Sequence, residues 1–209
     1  STNLVNTLGI FWAAAAASTG GPGASEERKL MGLKLAPLTP ELRKKYSLKD
    51  SAKGIVITEV EDKSQAQQRD LKVGDEVLTT EWEYGACDRT FDYYCKKAGA
   101  TLVRQSIPLP ITSKEYFMEH FVKGITSKTR LIFMNHITSS TGLRFPVEEV
   151  IAYAKSKGIP TFIDGAHAPG QIPLDLTALG AEIYTGACHK WMMTPKGSSF
   201  LYVKKEWQD

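Results

Sequence analysis

The fold of this chain is decided by residues 129–164, which read TRLIFMNHITSSTGLRFPVEEVIAYAKSKGIPTFID. A strand-like apolar run, Thr129–His136, precedes a helical segment, Val147–Lys157, and a second strand-like run, Pro160–Asp164. The apolar residues of the helical segment recur every three or four positions, so they share one face of a helix. A strand, a helix and a strand in this order predict a βαβ unit, which is the building block of parallel sheets.

The same alternation continues on both sides of that unit, from Glu76 to Asp209. The further predicted strands are Glu76–Thr80, Thr101–Ile107, Glu182–Gly186 and Ser198–Lys204. The further predicted helices are Asp88–Ala98 and Lys114–Val122, the second of them capped by Thr112 or Ser113. We therefore predict the fold class α/β, with a mainly parallel sheet flanked by helices and with ligands beyond the carboxyl ends of its strands.

The composition excludes several classes of protein. A net charge of +3, with no basic stretch that interleaves with aromatic residues, argues against nucleic-acid binding. The three cysteines form no Cys-x-x-Cys pair, which favours a reducing compartment over a disulfide framework or a structural zinc site. The longest apolar run, Ile10–Ala17, is too short to span a membrane. We expect a soluble, cytoplasmic protein.

The first part of the chain has a different texture. Residues 1–29 combine the end of a helix with an Ala/Gly-rich linker that contains Gly-Gly-Pro-Gly. Residues 30–77 form a second segment of short apolar runs separated by polar helical sequence. Its predicted elements are a strand at Leu33–Leu35, a helix with Thr39 as N-cap and Pro40 at its first position, a strand at Gly54–Val60, and a polar helix at Ser64–Arg69.

This second segment resembles the PDZ domains of periplasmic trypsin-like serine proteases. The resemblance rests on three motifs: Met31-Gly32-Leu33-Lys34-Leu35, Lys53-Gly54-Ile55-Val56-Ile57 and Leu71-Lys72-Val73-Gly74-Asp75. It implies a small PDZ-like α+β segment that binds peptide C-termini by adding a strand to a sheet edge. The sequence after Val77 departs from that pattern, because the expected groove-lining helix and closing strand are replaced by the α/β alternation.

Polar residues that could take part in catalysis or cofactor binding follow the predicted strands of the α/β part. Asp164 ends an apolar strand, where a carboxylate is costly unless it is paired. It is either a helix cap or the partner of a protonated heterocyclic nitrogen. Lys190 follows the next strand, and the apolar neighbours Trp191-Met192-Met193 favour an uncharged, nucleophilic amine. His167 is either a loop histidine or a contact for the phenolic oxygen of a cofactor, and Tyr84 is either a packing residue or a platform for a flat ring.

Four motifs in the α/β part are similar to the class V aminotransferases, close to the isopenicillin N epimerase-like branch. The stretches that carry the resemblance, over residues 72–209, are Gly74–Ala86, His136–Gly142, Asp164–Gln171 with Tyr184–Trp191, and Pro195–Val203. The resemblance implies a fold-type I pyridoxal 5'-phosphate (PLP) enzyme, a homodimer with its active site at the subunit interface. It also implies a role for each of six residues: Lys190 forms the Schiff base, Asp164 faces the pyridine nitrogen, His167 and Ser139 lie near the phenolic oxygen, His189 lies near the phosphate, and Tyr84 stacks on the ring.

The same resemblance predicts an interruption of the family pattern. Ser1–Gly9 resembles the helix that follows the phosphate-binding turn, which in relatives leads almost directly into Lys72–Val77. Here the linker and the PDZ-like segment lie between them, so we hypothesise a chimera or a domain insertion joined at Lys72–Val77. The chain also stops at Asp209, before the small domain that supplies an arginine for the substrate carboxylate in relatives. Ala187 stands where relatives often carry a polar residue near the phosphate.

Four functional hypotheses stay open at this point. The first is a PLP-dependent enzyme domain that acts on an amino acid as a transaminase, epimerase or carbon–sulfur lyase. The second is a peptide-binding module built on the PDZ-like segment. The third is a metal hydrolase, whose candidate ligands are His136, Asp164, His167 and His189. The fourth is an engineered or recombined fragment that folds without activity.

Overall fold

We describe the protein from a computed structural model, which covers residues 28–30, 33–37, 39–45, 55–60, 71 and 73–208. The predicted linker, apart from residues 28 and 29, lies outside the described residues, and so does the predicted polar helix Ser64–Arg69. The two predicted regions that remain are an N-terminal set of short elements and the α/β part.

The N-terminal elements form a small antiparallel sheet. Its strands are β1 (Arg28–Leu30), β2 (Leu33–Pro37) and β3 (Ile55–Val60), paired in that order. A short helix, α1 (Pro40–Lys45), lies between β2 and β3 in the sequence. The amide of Leu42 donates to Oγ1 of Thr39 at 3.3 Å, so the predicted N-cap is confirmed. Both predicted strands of this segment are present, while its assignment as PDZ-like stays a prediction.

The α/β part contains a second sheet with six described strands. They are β4 (Glu76–Thr80), β5 (Thr101–Gln105), β6 (Thr129–Asn135), β7 (Thr161–Asp164), β8 (Ile183–Gly186) and β9 (Phe200–Val203). Their order across the sheet is β5-β4-β6-β7-β8-β9. The first five run parallel and β9 returns antiparallel to β8, so the predicted mainly parallel sheet is confirmed.

Four helices connect these strands. They are α2 (Gly85–Ala98), α3 (Lys114–Phe121), α4 (Val147–Ser156) and α5 (Leu176–Leu179). Ser113, one of the two predicted caps, accepts a hydrogen bond from the amide of Tyr116 at 3.1 Å. Helix α2 begins three residues before the predicted start at Asp88, and α5 has no counterpart in the prediction. Within the described ranges, no helix combines the length and apolar character needed to cross a bilayer.

Alternate residues of the central strands pack into two separate hydrophobic cores, one on each face of the sheet. In β6, Leu131 and Phe133 pack with Phe91 of α2 on one face. Ile132 and Met134 pack on the other face, in the core that also contains apolar residues of α3 and α4. Because side chains alternate between the faces of a strand, a sheet covered on both faces must be apolar at nearly every position. This requirement explains the continuous apolar runs of the sequence.

The parallel strands place three polar residues side by side at the carboxyl edge of the sheet. Asn135 of β6 is in register with Asp164 of β7, which is in register with Thr185 of β8. The antiparallel return of β9 pairs Phe200 with Gly186, so the start of β9 reaches the same edge. The loops that follow these strands therefore converge on one region.

Candidate active site

A cleft of about 440 Å³ opens at this carboxyl edge. It is lined by all six residues that the sequence singled out: Tyr84, Ser139, Asp164, His167, His189 and Lys190. It is also lined by residues that the sequence analysis did not nominate, among them Cys87, Asn135, Thr185, Ser199 and Phe200. We call Asn135, Asp164 and Thr185 the strand-end wall of the cleft, and His167, His189 and Lys190 its loop wall.

Asp164 is the centre of the strand-end wall and is only 8% exposed. Its Oδ1 accepts a hydrogen bond from the amide of Ala166 at 2.9 Å and a longer one from Oγ1 of Thr185 at 3.4 Å. Its backbone carbonyl accepts from the amide of His136 at 2.9 Å. The Ala166 contact closes a turn and does not cap a helix, because the next helix, α5, begins at Leu176; the predicted helix-cap role is therefore wrong, and the contact uses one carboxylate oxygen.

The second oxygen of Asp164 faces a thiol. Sγ of Cys87, in the first turn of α2, lies 3.6 Å from Oδ2. Burial raises the pKa of this thiol, and the negative charge of Asp164 raises it further, so Cys87 is a weak neutral donor and a poor nucleophile. Oδ2 therefore has a weak S–H donor beside it and retains the capacity to accept from a stronger N–H donor.

The loop wall is organised by His167. Trp191 donates its indole N–H to Nδ1 of His167 at 3.1 Å, and Nε2 of His167 lies 2.9 Å from Nζ of Lys190. An indole can only donate, so Nδ1 must accept, and a neutral imidazole then carries its proton on Nε2. Burial lowers the pKa of His167 and the charge of Lys190 lowers it further, which favours the neutral ring. In this tautomer, Nε2–H can donate to Nζ of Lys190 only in the uncharged form of that amine, which is the form that reacts with an aldehyde.

One predicted reason for the reactivity of Lys190 is wrong. The sequence analysis attributed it to the apolar residues that follow, but those side chains face solvent. Trp191 and Met192 are 51% and 50% exposed, and Met193 is 88% exposed. Lys190 is itself exposed, and Nζ is contacted by an imidazole nitrogen rather than by an apolar wall. The chain turns sharply here, because Met193 adopts a positive φ of 53°.

The remaining predicted residues differ in how firmly they are held. Nδ1 of His189 lies 2.9 Å from the carbonyl of Ser198, which can only accept, so Nδ1 is protonated and Nε2 is the ring nitrogen left for a ligand. Tyr84 immediately precedes α2 and is 52% exposed, so its ring is accessible from the cleft. Ser139 is exposed in the loop after β6.

The sequence analysis missed a carboxylate that lies behind the cleft, Glu83. Its Oε1 accepts from Oγ1 of Thr80 at 2.7 Å, and its Oε2 accepts from the amide of Asn135 at 2.9 Å. Burial raises the pKa of Glu83 to about 8, and repulsion from Asp164 adds to the rise against the opposing effect of the two hydrogen bonds. The residue as a whole is partly exposed, but its carboxylate lies between the fully buried Thr80 and Asn135.

The metal-hydrolase hypothesis finds no support in this arrangement. His136 is 1% exposed and its Nδ1 lies 2.9 Å from the hydroxyl of Tyr184, in the core behind the strand ends. Burial lowers the pKa of His136 to about 4, as expected for a neutral core histidine. In the part of the chain that the structure describes, no group of three or more His, Cys, Asp or Glu side chains is arranged to hold a metal ion.

A comparison with protein families assigns the chain to a family. The model of the family described as aminotransferase class-V matches residues 62–209, a range that includes the predicted segment 72–209. The chain belongs to the class V aminotransferase family. The proposed chimeric or inserted origin of residues 30–77 stays a prediction.

Two relatives of this class V aminotransferase chain carry different activities in their names. "Putative L-cysteine desulfhydrase 1" of Oryza sativa subsp. japonica is 36% identical over 140 residues, which are 64% of this chain and 29% of the relative. Isopenicillin N epimerase of Amycolatopsis lactamdurans is 33% identical over 140 residues, which are 66% of this chain and 35% of the relative. The chain thus spans about a third of the length of these relatives.

The fold of the class V chain is shared with a solved carbon–sulfur lyase. The cystine C–S lyase C-DES, in complex with its reaction product cysteine persulfide, matches with a TM-score of 0.59 and 25% identity, over 66% of this chain and 37% of that one. A lysine-to-alanine mutant of C-DES, in which glycine is covalently linked to the PLP cofactor, matches with a TM-score of 0.58 and 24% identity, over 65% and 36%. The family and these neighbours together indicate pyridoxal 5'-phosphate as the cofactor.

The residues of the cleft fit this cofactor. PLP presents a pyridine nitrogen, a phenolic oxygen, an aldehyde and a phosphate. The cleft offers a buried carboxylate with an oxygen able to accept a further hydrogen bond, a primary amine, an exposed aromatic ring, and imidazole and hydroxyl groups. Each group of PLP therefore has a side chain of matching chemistry in the cleft.

Proposed function

We propose that this chain provides the PLP-binding site of an enzyme that transforms an amino-acid substrate, with Lys190 as the residue that binds the cofactor covalently. The proposal is carried by one observation: Lys190, its imidazole partner His167 and the buried Asp164 line a single cleft at the carboxyl edge of a parallel sheet. The reaction type that we favour is carbon–sulfur bond cleavage, because a desulfhydrase and a cystine lyase are among its relatives. Transamination and epimerisation are the alternatives.

We assign the six residues as follows within this proposal. Asp164 accepts from the protonated pyridine nitrogen through Oδ2, the oxygen beside Cys87. Tyr84 stacks on the face of the ring, and His189 turns Nε2 towards the phosphate. His167 and Ser139 lie on the side of the phenolic oxygen. These assignments are supported by the shared cleft and by the hydrogen bonds that fix Asp164, His167 and His189.

PLP, when bound, supplies an electron-withdrawing ring that weakens the bonds at the substrate Cα. The protein orients the reacting groups. Asp164 holds a negative charge at a buried strand end, where water competes little for it. His167 places Nε2 2.9 Å from Nζ of Lys190, so a proton can pass between the two nitrogens when Lys190 changes between its ammonium and amine forms.

Covalent trapping tests the assignment of Lys190. The purified chain is mixed with PLP, its absorbance spectrum is recorded, and the adduct is reduced with borohydride and located by peptide mass mapping. We expect a pyridoxyl group on Lys190 and none on this peptide in Lys190→Ala. The matched control is Lys196→Ala, because Lys196 is an exposed lysine on the same loop. Label that spreads over surface lysines, or that persists in Lys190→Ala, would contradict the proposal.

We also propose that the chain acts as a homodimer, with the exposed apolar loop beside the cleft in the interface. Trp191, Met192 and Met193 expose half or more of their surface directly after Lys190, and contiguous exposed apolar residues mark interaction sites. Light scattering after size-exclusion chromatography is expected to give twice the monomer mass of 23.1 kDa. A monomeric mass of the unmodified chain would contradict the dimer, and a dimeric mass that persists in Met193→Lys would exclude this interface.

A peptide-binding role for the N-terminal sheet is the second candidate. It is supported by an antiparallel sheet in which β1 and β3 are the outer strands among those described, since such edges bind extended peptides by strand addition. Titration with a library of C-terminal peptides tests it. Saturable binding that requires a free peptide carboxylate would support the PDZ-like interpretation of residues 30–77. The absence of binding would contradict that interpretation, and PLP binding would then be the one candidate function that stands.

A further inference from the structure

We propose that Glu83 is a positioning residue, which fixes Tyr84 at the exposed edge of the cleft and Asn135 in its wall by joining the turn after β4 to the end of β6. The importance of this role rests on the proposed function, since Tyr84 and Asn135 line the cleft in which PLP is proposed to bind. The structural role itself can be measured in the chain without PLP.

The joint is made by four hydrogen bonds, two donated by Asn135 to the turn and two that involve the hydroxyl of Thr80. The backbone amide of Asn135 donates to Oε2 of Glu83 at 2.9 Å, and the side-chain amide of Asn135 donates to the carbonyl of Trp82 at 3.3 Å. Oε1 of Glu83 accepts from Thr80 Oγ1 at 2.7 Å, and that hydroxyl in turn accepts from the amide of Trp82 at 3.2 Å. The turn is therefore tied to its own strand and to a strand 52 residues further along the chain.

The position of this joint matters because of its immediate neighbours. Tyr84 follows Glu83 directly and occupies the N-cap position of α2, where its side chain makes no capping hydrogen bond. Asn135 is in register with Asp164, so its backbone is part of the same strand end that carries the buried carboxylate. Loss of the Glu83 contacts would release the residue before the ring platform and leave the buried Asn135 amide without its acceptor.

The electrostatic surroundings indicate that Glu83 works in its neutral form. The groups that face it are Thr80 from β4, the Asn135 amide from β6, the Asp164 carboxylate from β7 and the Cys87 thiol from α2. None of them is a cation. Burial and Asp164 raise the pKa of Glu83 to about 8, so a proton is bound at neutral pH. A neutral Glu83 adds no second negative charge beside Asp164.

This reasoning identifies glutamine as the conservative replacement. In Glu83→Gln, the amide oxygen can accept from the Asn135 amide while the amide nitrogen donates to Thr80 Oγ1. Relative to an ionised Glu83, this reverses donor and acceptor in the contact with Thr80, as protonation of the carboxyl group at Oε1 also does. Glu83→Ala removes both contacts. The matched control is Glu81→Gln, because Glu81 lies on the same turn and accepts from the amide of Ile107, but is exposed.

The test follows the backbone amide of Asn135 by NMR and hydrogen exchange in the chain without PLP. We expect its chemical shift to titrate with a midpoint near pH 8 in the unmodified chain and in Glu81→Gln, and to show no such step in Glu83→Gln. We expect its exchange to accelerate by about tenfold in Glu83→Ala and to stay within about threefold in Glu83→Gln. The titration of the Asn135 amide shift separates a hydrogen-bonded Glu83 from a residue that only fills space. The comparison of the unmodified chain with Glu83→Gln provides this test even if Glu83→Ala does not fold.

Two results would overturn the inference. One is a chemical shift of the Asn135 amide that is flat around pH 8 in the unmodified chain, or a step that persists in Glu83→Gln. The other is a folded Glu83→Ala with unchanged exchange at Asn135. Failure to trap PLP on Lys190 would instead contradict the proposed function and would leave the NMR result interpretable by itself.

Discussion

The two walls of the cleft are built in opposite ways. The strand-end wall is buried, in register and hydrogen-bonded to the backbone, with Asp164 8% and Asn135 3% exposed. The loop wall is half-buried at His167 and His189 and exposed at Lys190, and the contact between His167 and Lys190 joins two side chains. In the proposed function, the fixed strand end holds the charge of Asp164 in place, and the exposed position of Lys190 leaves its side chain free to move. We expect substitutions on the two walls to differ accordingly in their cost.

The largest effect on stability is expected from Gly165→Ala, which changes the packing directly after Asp164 of the strand-end wall. A Cβ at this position would lie 2.1 Å from the Tyr184 hydroxyl oxygen and ring carbon, so the fully buried tyrosine would have to move. We expect a loss of about 3 kcal/mol of unfolding free energy, measured by urea denaturation. Gly85→Ala is the control, since its Cβ meets only the flexible Arg89 side chain. Equal stability of both variants would show that Tyr184 moves aside at little cost and that the packing around the strand-end wall is not rigid.

Asp164→Asn tests the charge of the same wall without changing its shape. Asparagine keeps an oxygen for the Ala166 amide, so folding should change little. We expect PLP affinity to fall by about tenfold to a hundredfold, the usual value of a hydrogen bond to a charged partner. Spectrophotometric titration with PLP measures this, beside Asp175→Asn, in which the replaced aspartate caps α5 and is exposed. Unchanged affinity in Asp164→Asn would remove the pyridine-nitrogen assignment.

The pH dependence of stability tests the carboxylate behind the strand-end wall. The pKa of Glu83 is about 8 in the fold against an ordinary value of 4.5, so the folded state binds more protons than the unfolded state between those pH values. Stability from this group is therefore fully present below about pH 4.5 and falls as the pH rises towards about 8, by at most about 1.4 kcal/mol per pH unit. Urea midpoints should fall more steeply with pH in the unmodified chain than in Glu83→Gln; parallel slopes would contradict the shifted pKa.

The smallest effect is expected on the loop wall. His167→Ala removes the acceptor of the Trp191 indole and the partner of Lys190, but both contacts are exposed. We expect the free energy of unfolding to change by less than about 0.5 kcal/mol. The indole fluorescence of Trp191 should shift because its N–H then bonds to water, and Trp191→Phe should abolish this shift. A stability loss as large as that of Gly165→Ala would erase the distinction between the two walls.

Much of the fold and of the cleft could be predicted from sequence, and the reason is geometric. Asp164 and Lys190 follow neighbouring parallel strands, and parallel strands end at one edge, so period and order were enough to bring them together. The position of Ser113 before an amphipathic helix likewise identified a cap. These features depend on local pattern and on chain direction.

What the sequence did not reveal depends on contacts between distant segments. Glu83 has the appearance of a solvated turn residue, and its acceptor role depends on an amide 52 residues away. The apolar residues after Lys190 looked like a shield, but the turn at Met193 directs them to solvent. His136 looked like a ligand, and its burial against Tyr184 follows only from the packing of two strands. Tertiary packing decides each of these cases.

The two buried cysteines of α2 can report, through their reaction with a thiol reagent, when the packing around the strand-end wall opens. Cys87 and Cys95 are 6% and 1% exposed, and burial raises the pKa of both thiols, that of Cys95 to about 12. The thiolate is the form of cysteine that attacks alkylating reagents, so these two sites should resist labelling for as long as α2 stays packed on the sheet. Cys188 is partly exposed beside the loop wall and should react first. The rate at which the second and third labels appear would thus time the opening of the buried wall, residue by residue, with no cofactor or substrate present.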